Sequence, residues 1–308
     1  MNEERPETVA IIYTGELRTI EKVYMNFKGL LKDDNYHIYA VLQNEDKDIE
    51  EKLKMAYGNN LKFFSWFNNM DATYWSLKEY MVNNINICDD WKIYLFLSGS
   101  MIEYYQMYQA YMAIVKNEQL MGKKYDYIMR IRCDCIITRE LDMNRIFNKS
   151  KEELYNIYNE IQIEDENIRK NMLFNCLIDN NRWRYVNKEI YNNMEELKTF
   201  DDIYKYYKKG KFMIALRENI FYMMKRKYFY SIASLGVTYG TYIDFENKYW
   251  FNAESQLKSC CLLNEIDYYT SNSEKEGLSL YNYNNNNYFD ENGILKNQKD
   301  VIFFLVRN

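Results

Sequence analysis

The sequence predicts an α/β fold, a parallel-centred sheet flanked by helices, and three observations predict it. Short apolar runs ("VAIIY", "YHIYAVL", "FFSWF") alternate with segments of helical spacing, the pattern of strands joined by crossover helices. Hydrophobic residues make up 47% of the 308-residue chain and aromatics 17%, enough to bury a sizeable core. With a single Pro and 10 Gly there is no linker-like segment and no internal repeat, so residues 1–308 read as one domain.

The elements follow in order. Val9 to Tyr13 is a short strand that turns at Thr14-Gly15. A helix follows, with apolar residues at Ile20, Val23, Phe27 and Leu30. "YHIYAVLQ" is a strand, "DKDIEEKLKMAYG" a charged helix ended by Gly58, and "LKFFSWF" another strand. Asp71 to Asn84 is helical. A long helix comes next, capped by Ser98 or Ser100 and closed near Gly122, leading into the strand "YDYIMRIRCDCIIT". Residues 142–210 are mostly helical, with an apolar insert "NMLFNCLI" of strand length. "KFMIALRENIFYMMKRKY" reads as a strand running into a helix. A Gly-bearing loop, a helix from about Ala253 and a strand follow. "YNYNNNNYF" is a low-complexity loop, and "DVIFFLV" is a closing strand.

Several function classes are excluded on composition. A net charge of -5 argues against a general nucleic-acid binder, which needs a basic surface to release counterions. "YLFL" and "VIFFLV" are of strand length, and no run reaches the ~18–20 apolar residues of a membrane span. The charged N-terminus carries no apolar leader segment, and the six Cys form no C-x-x-C pair, so reduced thiols in a cytoplasmic setting are expected. His37 is the single His and lies in a strand, which speaks for a structural role and against His-dependent catalysis or a zinc site. The 32 Tyr, with abundant Asn, Ile and Lys, reflect an AT-rich coding bias and are discounted as a binding signal. Nothing in the sequence sets an oligomeric state.

Three short constellations can carry chemistry. "YTGELR" ends the first strand, where ligands bind in open α/β sheets. Its Thr14-Gly15 pair lets backbone approach a ligand, and Arg18 offers a guanidinium fork. A plain strand-to-helix turn would use the same letters. It is neither G-x-G-x-x-G nor a P-loop, and its single Gly also differs from the Gly-rich first loop of a methyltransferase. In "RIRCD", β geometry puts Arg130, Arg132 and Asp134 on one face, with Ile131, Cys133 and Cys135 on the other. A carboxylate at a strand's end can hold a divalent cation, and arginines can pair with it or with phosphates. An Arg-Asp pair buried for packing is the structural reading of the same residues. "FNAESQL" places Glu254 at a helix start, a favourable position for a carboxylate with or without chemistry. "KKGK" (208–211) and "KRK" (225–227) offer cations to a phosphate, and the same letters read more simply as solvated helix ends.

The order of these pieces resembles the GT-A type nucleotide-sugar glycosyltransferases of the WavE-like and large-DNA-virus kind. The likeness spans about residues 9–265: "YTGELR", then the helix "MIEYYQMYQAYMAIVKNE", then "YDYIMRIRCD", then "NAESQL". The resemblance implies a GT-A-like (Rossmann-like) mixed sheet flanked by helices, with a nucleotide-sugar half at 9–140 and a helical acceptor-side half at 141–308. It implies transfer of a hexose or pentose from a nucleoside-diphosphate sugar, expected to be a UDP-sugar, to a glycan hydroxyl; the AT-rich composition would suit a viral capsid glycan as one acceptor. Thr14, Gly15 and Arg18 would touch the nucleotide, and Gln106 would flank that pocket. Asp134 would stand at the catalytic metal and diphosphate position, binding Mn or Mg, with Arg130 and Arg132 in support. Glu254 is the preferred general base and Asp244 the other candidate. The usual Asp-x-Asp pair is incomplete, since Cys135 and Ile136 follow Asp134. That departure leaves room for an inactive glycan- or nucleotide-binding module of the same fold.

Overall fold

Apolar runs without polar alternation need cover on both faces. The first strand meets that demand: Val9, Ile11 and Tyr13 enter one hydrophobic layer, Ala10 and Ile12 the other. The structure is a computed structural model, described over residues 8–17, 20–24, 35–84, 89–97, 99–137, 143–160, 183–185, 199–216, 220–238, 253–271, 277–281 and 303–307. In chain order its strands are β1 (Val9–Glu16), β2 (Tyr36–Gln43), β3 (Leu61–Trp66), β4 (Tyr127–Arg132), β5 (Cys135–Ile137), β6 (Trp183–Tyr185), β7 (Phe212–Leu216), β8 (Phe221–Lys225), β9 (Asp267–Ser271), β10 (Gly277–Tyr281) and β11 (Phe303–Arg307). Its helices are α1 (Ile20–Val23), α2 (Lys47–Tyr57), α3 (Ala72–Asn84), α4 (Asp89–Leu97), α5 (Ser100–Met121), α6 (Met143–Phe147), α7 (Lys151–Glu160), α8 (Phe200–Lys209), α9 (Phe229–Ala233), α10 (Leu235–Thr238) and α11 (Ala253–Leu263).

Eight strands form one sheet in the order β3-β2-β1-β4-β8-β7-β9-β6, and β10-β11-β5 form a second. The first four strands of the large sheet are parallel, β8 runs against both β4 and β7, and β7 and β9 are parallel again. This is the expected α/β fold, a mixed sheet between layers of helices. One layer packs Ile49 and Leu53 of α2, Phe147 of α6, Leu154 of α7 and Tyr207 of α8 against the sheet. The other packs Tyr74 of α3, Met107 and Ile114 of α5, Phe229 of α9 and Leu257 of α11.

Local signals start and stop several helices. Asp46 accepts from the amides of Asp48 and Ile49 to open α2, and Thr199 with Asp202 forms a capping box at α8. α5 closes at Gly122 as expected, but it opens at Ser100 after Gly99, with no side-chain cap.

Other expectations are corrected. "KFMIALRENIFYMMKRKY" is not one strand running into a helix; it gives two antiparallel strands, β7 and β8, before a helical turn at Arg226–Tyr228. Phe221 to Met224 are all buried, so both faces are covered and no period in the run separates strand from helix. "YDYIMRIRCDCIIT" is not one strand. β4 stops at Arg132, Cys133 and Asp134 make a turn, and β5 leaves to pair with β11 in the second sheet. "YLFL", of strand length, lies inside α4. The second half carries helices as expected and also gives the large sheet β6 to β9. "NMLFNCLI", Phe27 and Leu30 lie outside the described residues, as does "YNYNNNNYF" beyond Tyr281, the last residue of β10.

Candidate active site

The carboxyl ends of β1 and β4 lie side by side, with Thr14 in register with Arg132 and Ile12 with Arg130. In an open α/β sheet such ends border the ligand crevice. The period of two sends Arg130 toward the layer that α5 covers, where the guanidinium is 1% exposed. A buried guanidinium needs acceptors, and two are supplied. Its Nε donates to Thr14 Oγ1 at 3.2 Å, and Nη2 pairs with the Glu103 carboxylate from the first turn of α5. The Tyr222 ring centroid lies 5.7 Å from the guanidinium carbon. Nη1 is buried with no acceptor among the described residues.

Arg132, two residues on, is partly exposed and turns to Asp134. Nε donates to Oδ1 at 3.0 Å and Nη2 to Oδ2 at 2.6 Å, a two-pronged fork. Asp134 itself is buried at 2% exposure. Burial works against the charge on Arg132, but the carboxylates of Glu103 and Asp134 outweigh it and raise its pKa, so the guanidinium stays protonated.

Gly15 is required by its surroundings. Its φ is +137°, and a Cβ there would sit 2.8 Å from Cys133 Sγ. Cys133 closes the contact by donating to the Glu16 carbonyl. Burial pushes the Cys133 and Cys135 thiols up, so neither is a ready nucleophile. Gln106 is fully buried and ties α5 to β2, donating to the Val41 carbonyl at 3.0 Å and accepting from Gln43 at 3.1 Å.

The structure therefore gathers Thr14, Gly15, Arg130, Arg132 and Asp134 at one end of the sheet, with Gln106 three residues beyond Glu103 on the flanking helix. Thr14 and Gln106 spend their described polar groups on the scaffold. Arg18 and Asp244 lie outside the described residues. Glu254 is the second residue of α11, and its side chain is likewise outside the description. Only three residues separate α11 from β9, so that helix runs back along the sheet and starts at the carboxyl end, the same end as Asp134. The residue that sequence reasoning missed is Glu103. It stands in the quoted run "MIEYYQ", and its signal was an acidic residue in a helix's first turn, which the helix dipole alone explains. His37 takes the structural role expected of it, with Nδ1 2.5 Å from the Tyr125 hydroxyl. Lys208 and Lys209 end α8 as exposed residues, whereas Arg226 is buried in a fork with Glu118.

A divalent cation at Asp134 is poorly matched by these residues. Both carboxylate oxygens are engaged by Arg132, and the described residues contain no group of three or more His, Cys, Asp or Glu placed to hold a metal.

Fold and site together define an α/β protein with a paired arginine-carboxylate cluster at the carboxyl ends of its central strands. No family model matches the chain, and no curated protein matches it. Among solved structures, a Desulfovibrio desulfuricans G20 protein assigned as a nucleotide-diphospho-sugar transferase aligns over 86% of this chain and 80% of its own, at 9% identity and TM-score 0.33. Mouse xyloside xylosyltransferase 1 aligns over 97% and 96%, at 8% identity and TM-score 0.36. The galactosyltransferase LgtC, solved with donor and acceptor sugar analogues, aligns over 96% and 86%, at 9% identity and TM-score 0.36. Likenesses of this strength carry no argument about the site, whose reading rests on the geometry above.

Proposed function

We propose that this protein is a glycosyltransferase that moves a sugar from a nucleoside-diphosphate sugar, a UDP-sugar by preference, to a hydroxyl of a glycan acceptor. The observation that supports this most is the pair Arg130 and Arg132 held at the carboxyl ends of β1 and β4. Breaking the bond between the anomeric carbon and the diphosphate leaves charge on the departing phosphate oxygens. Fixed guanidinium donors in a partly dry site stabilise that charge. The acceptor oxygen forms the new bond to the anomeric carbon, and its proton goes to a carboxylate if configuration is inverted. Glu254, starting α11 at the same end of the sheet, is the proposed base.

The motif order from "YTGELR" to "NAESQL" supports the WavE-like and viral relationship within this reading, with cytoplasmic action on a viral glycan as its setting. A cation at Asp134, expected from that relationship, would require Arg132 to let go of the carboxylate. The same closed fork favours one second reading, an inactive glycan- or nucleotide-binding module.

A thermal-shift panel of the purified chain with UDP, GDP, their sugar conjugates and S-adenosylmethionine, with and without manganese, tests the proposal. Ligand at a hundred times its Kd stabilises the native state by about 2.7 kcal/mol. A rise in melting temperature with one nucleotide sugar, followed by release of nucleoside diphosphate on adding acceptor, is the expected result. Binding without turnover would favour the module, and a shift with S-adenosylmethionine alone would refute the glycosyltransferase reading.

A further inference from the structure

We propose that Arg132 is the diphosphate-binding cation of this site and that Asp134 is its internal competitor, a carboxylate that occupies the guanidinium fork until a diphosphate displaces it. This deepens the glycosyltransferase reading and rests on it. It also reverses the role expected for Asp134, which becomes the group that withdraws when the donor arrives.

Four observations carry the assignment. The first is geometric: Arg132 presents Nε and Nη2 side by side to two oxygens of one acid, at 3.0 and 2.6 Å. Two oxygens of a phosphate offer the same fork-to-fork match. The second is access. Arg130 is 1% exposed and held by Thr14 and Glu103, whereas the Arg132 side chain is 18% exposed, at the end of β4. The third is charge. Arg130 and Arg132 face Glu103 and Asp134, two cations against two carboxylates, so the cluster is neutral as it stands. A diphosphate adds negative charge, and the site accepts it when one carboxylate leaves. Glu103 is held on α5 by its pairing with buried Arg130, while Asp134 sits in the turn between β4 and β5. Arg130 Nη1, buried without an acceptor among the described residues, shows that the cluster already has donors to spare. The fourth is the donor set. Both oxygens of Asp134 are taken by Arg132, and the described residues hold no group of three or more His, Cys, Asp or Glu placed for a metal that would keep Asp134 as a ligand.

The test is equilibrium binding of UDP and of GDP to the full chain by calorimetry, in EDTA and in manganese. The proteins compared are the wild type, Asp134→Asn, Arg132→Ala and the double variant. The Asp134→Asn side chain stays isosteric and can still accept one hydrogen bond from Arg132, and circular dichroism checks that the variant folds. Asp134→Ser serves as a second neutral variant.

In EDTA, Asp134→Asn should bind the nucleoside diphosphate at least about tenfold tighter than wild type, about 1.4 kcal/mol. Arg132→Ala should weaken binding by a similar factor, and the double variant should gain nothing over it. Unchanged or weaker binding by both Asp134 variants in EDTA would overturn the competitor role. Wild-type binding that needs manganese and is lost with Asp134 would make Asp134 a metal ligand and sink the inference while leaving the glycosyltransferase reading intact. No binding of either nucleotide to any of the proteins, in either buffer, would overturn that reading and the inference with it.

Discussion

Arg130 is the residue on which the site's stability and chemistry meet. A guanidinium with 1% exposure survives in a sheet interior because Glu103 and Thr14 accept from it. Removing one member of such a pair leaves the other buried and uncompensated, which typically costs about 3–5 kcal/mol. Glu103→Ala should therefore lower the unfolding free energy by about 3 kcal/mol in urea titration. Adding Arg130→Met should recover much of that loss, because an apolar side chain of similar length needs no partner. A cost below about 0.5 kcal/mol for Glu103→Ala, the range of ordinary surface substitutions, would show that Arg130 is held without Glu103.

At the scale of elements, the placement of α5 decides what the site can be. Its first turn brings Glu103 to Arg130, and Gln106 pins it to β2 through Val41 and Gln43. From the opposite side α10 presses on it: a Cβ at Gly236 would fall 2.6 Å from the Tyr104 carbonyl oxygen and 2.5 Å from Tyr108 Cβ. Backbone cannot yield as a side-chain tip can. Gly236→Ala should thus push the two helices apart and cost about 1–3 kcal/mol, the usual range for overpacking. The melting temperature reads the cost, and nucleotide affinity reads whether α5 carries Glu103 with it. A melting temperature within about a degree of wild type, well short of the shift such a cost implies, would mean that the α5-α10 approach is loose.

Across the molecule, two described groups whose titration bears on stability between about pH 4 and 8 lie away from the site. His37 near the start of β2 and Asp267 at the start of β9 occupy the amino ends of strands that run in the same direction. Burial, with the charges of Lys62 and Lys123 adding to it, lowers the His37 pKa from 6.5 to about 4. The native state therefore resists a proton that the unfolded chain accepts, and stability falls as pH drops from 6.5 toward 4. Asp267 has the opposite sign. Its carboxyl is buried, neither oxygen has a partner among the described residues, and burial raises its pKa from 3.8 to about 8. Its contribution is present below 3.8 and is lost as pH rises to about 8. Asp267→Asn should accordingly raise the melting temperature, and by more at about pH 8 than at about pH 5, while His37→Gln should flatten the acid limb. An equal gain from Asp267→Asn at both pH values would mean that its carboxyl ionises normally in the fold.

The sequence by itself determined the features that follow from local spacing. Continuous apolar runs such as "VAIIY" called for strands covered on both faces, and β1 is one. The helix stops at Gly58 and Gly122 were legible, as was the alignment of Arg130 with Arg132, because a period of two places side chains by counting alone. Only the tertiary structure decided who answers those arginines. Thr14 lies 116 residues from Arg130 and Glu103 lies 27 away, and nothing in the spacing of "RIRCD" names either. Where both faces of a segment are buried the period vanishes, and packing chose the hairpin β7-β8 over a helix. The turn at Asp134 is a tertiary decision too: β5 pairs with β11, residues 303–307, and that pairing takes the chain out of the large sheet just where Asp134 folds back onto Arg132. Local sterics fix which face a residue occupies, but its partner across the chain is set by the contacts that bury both.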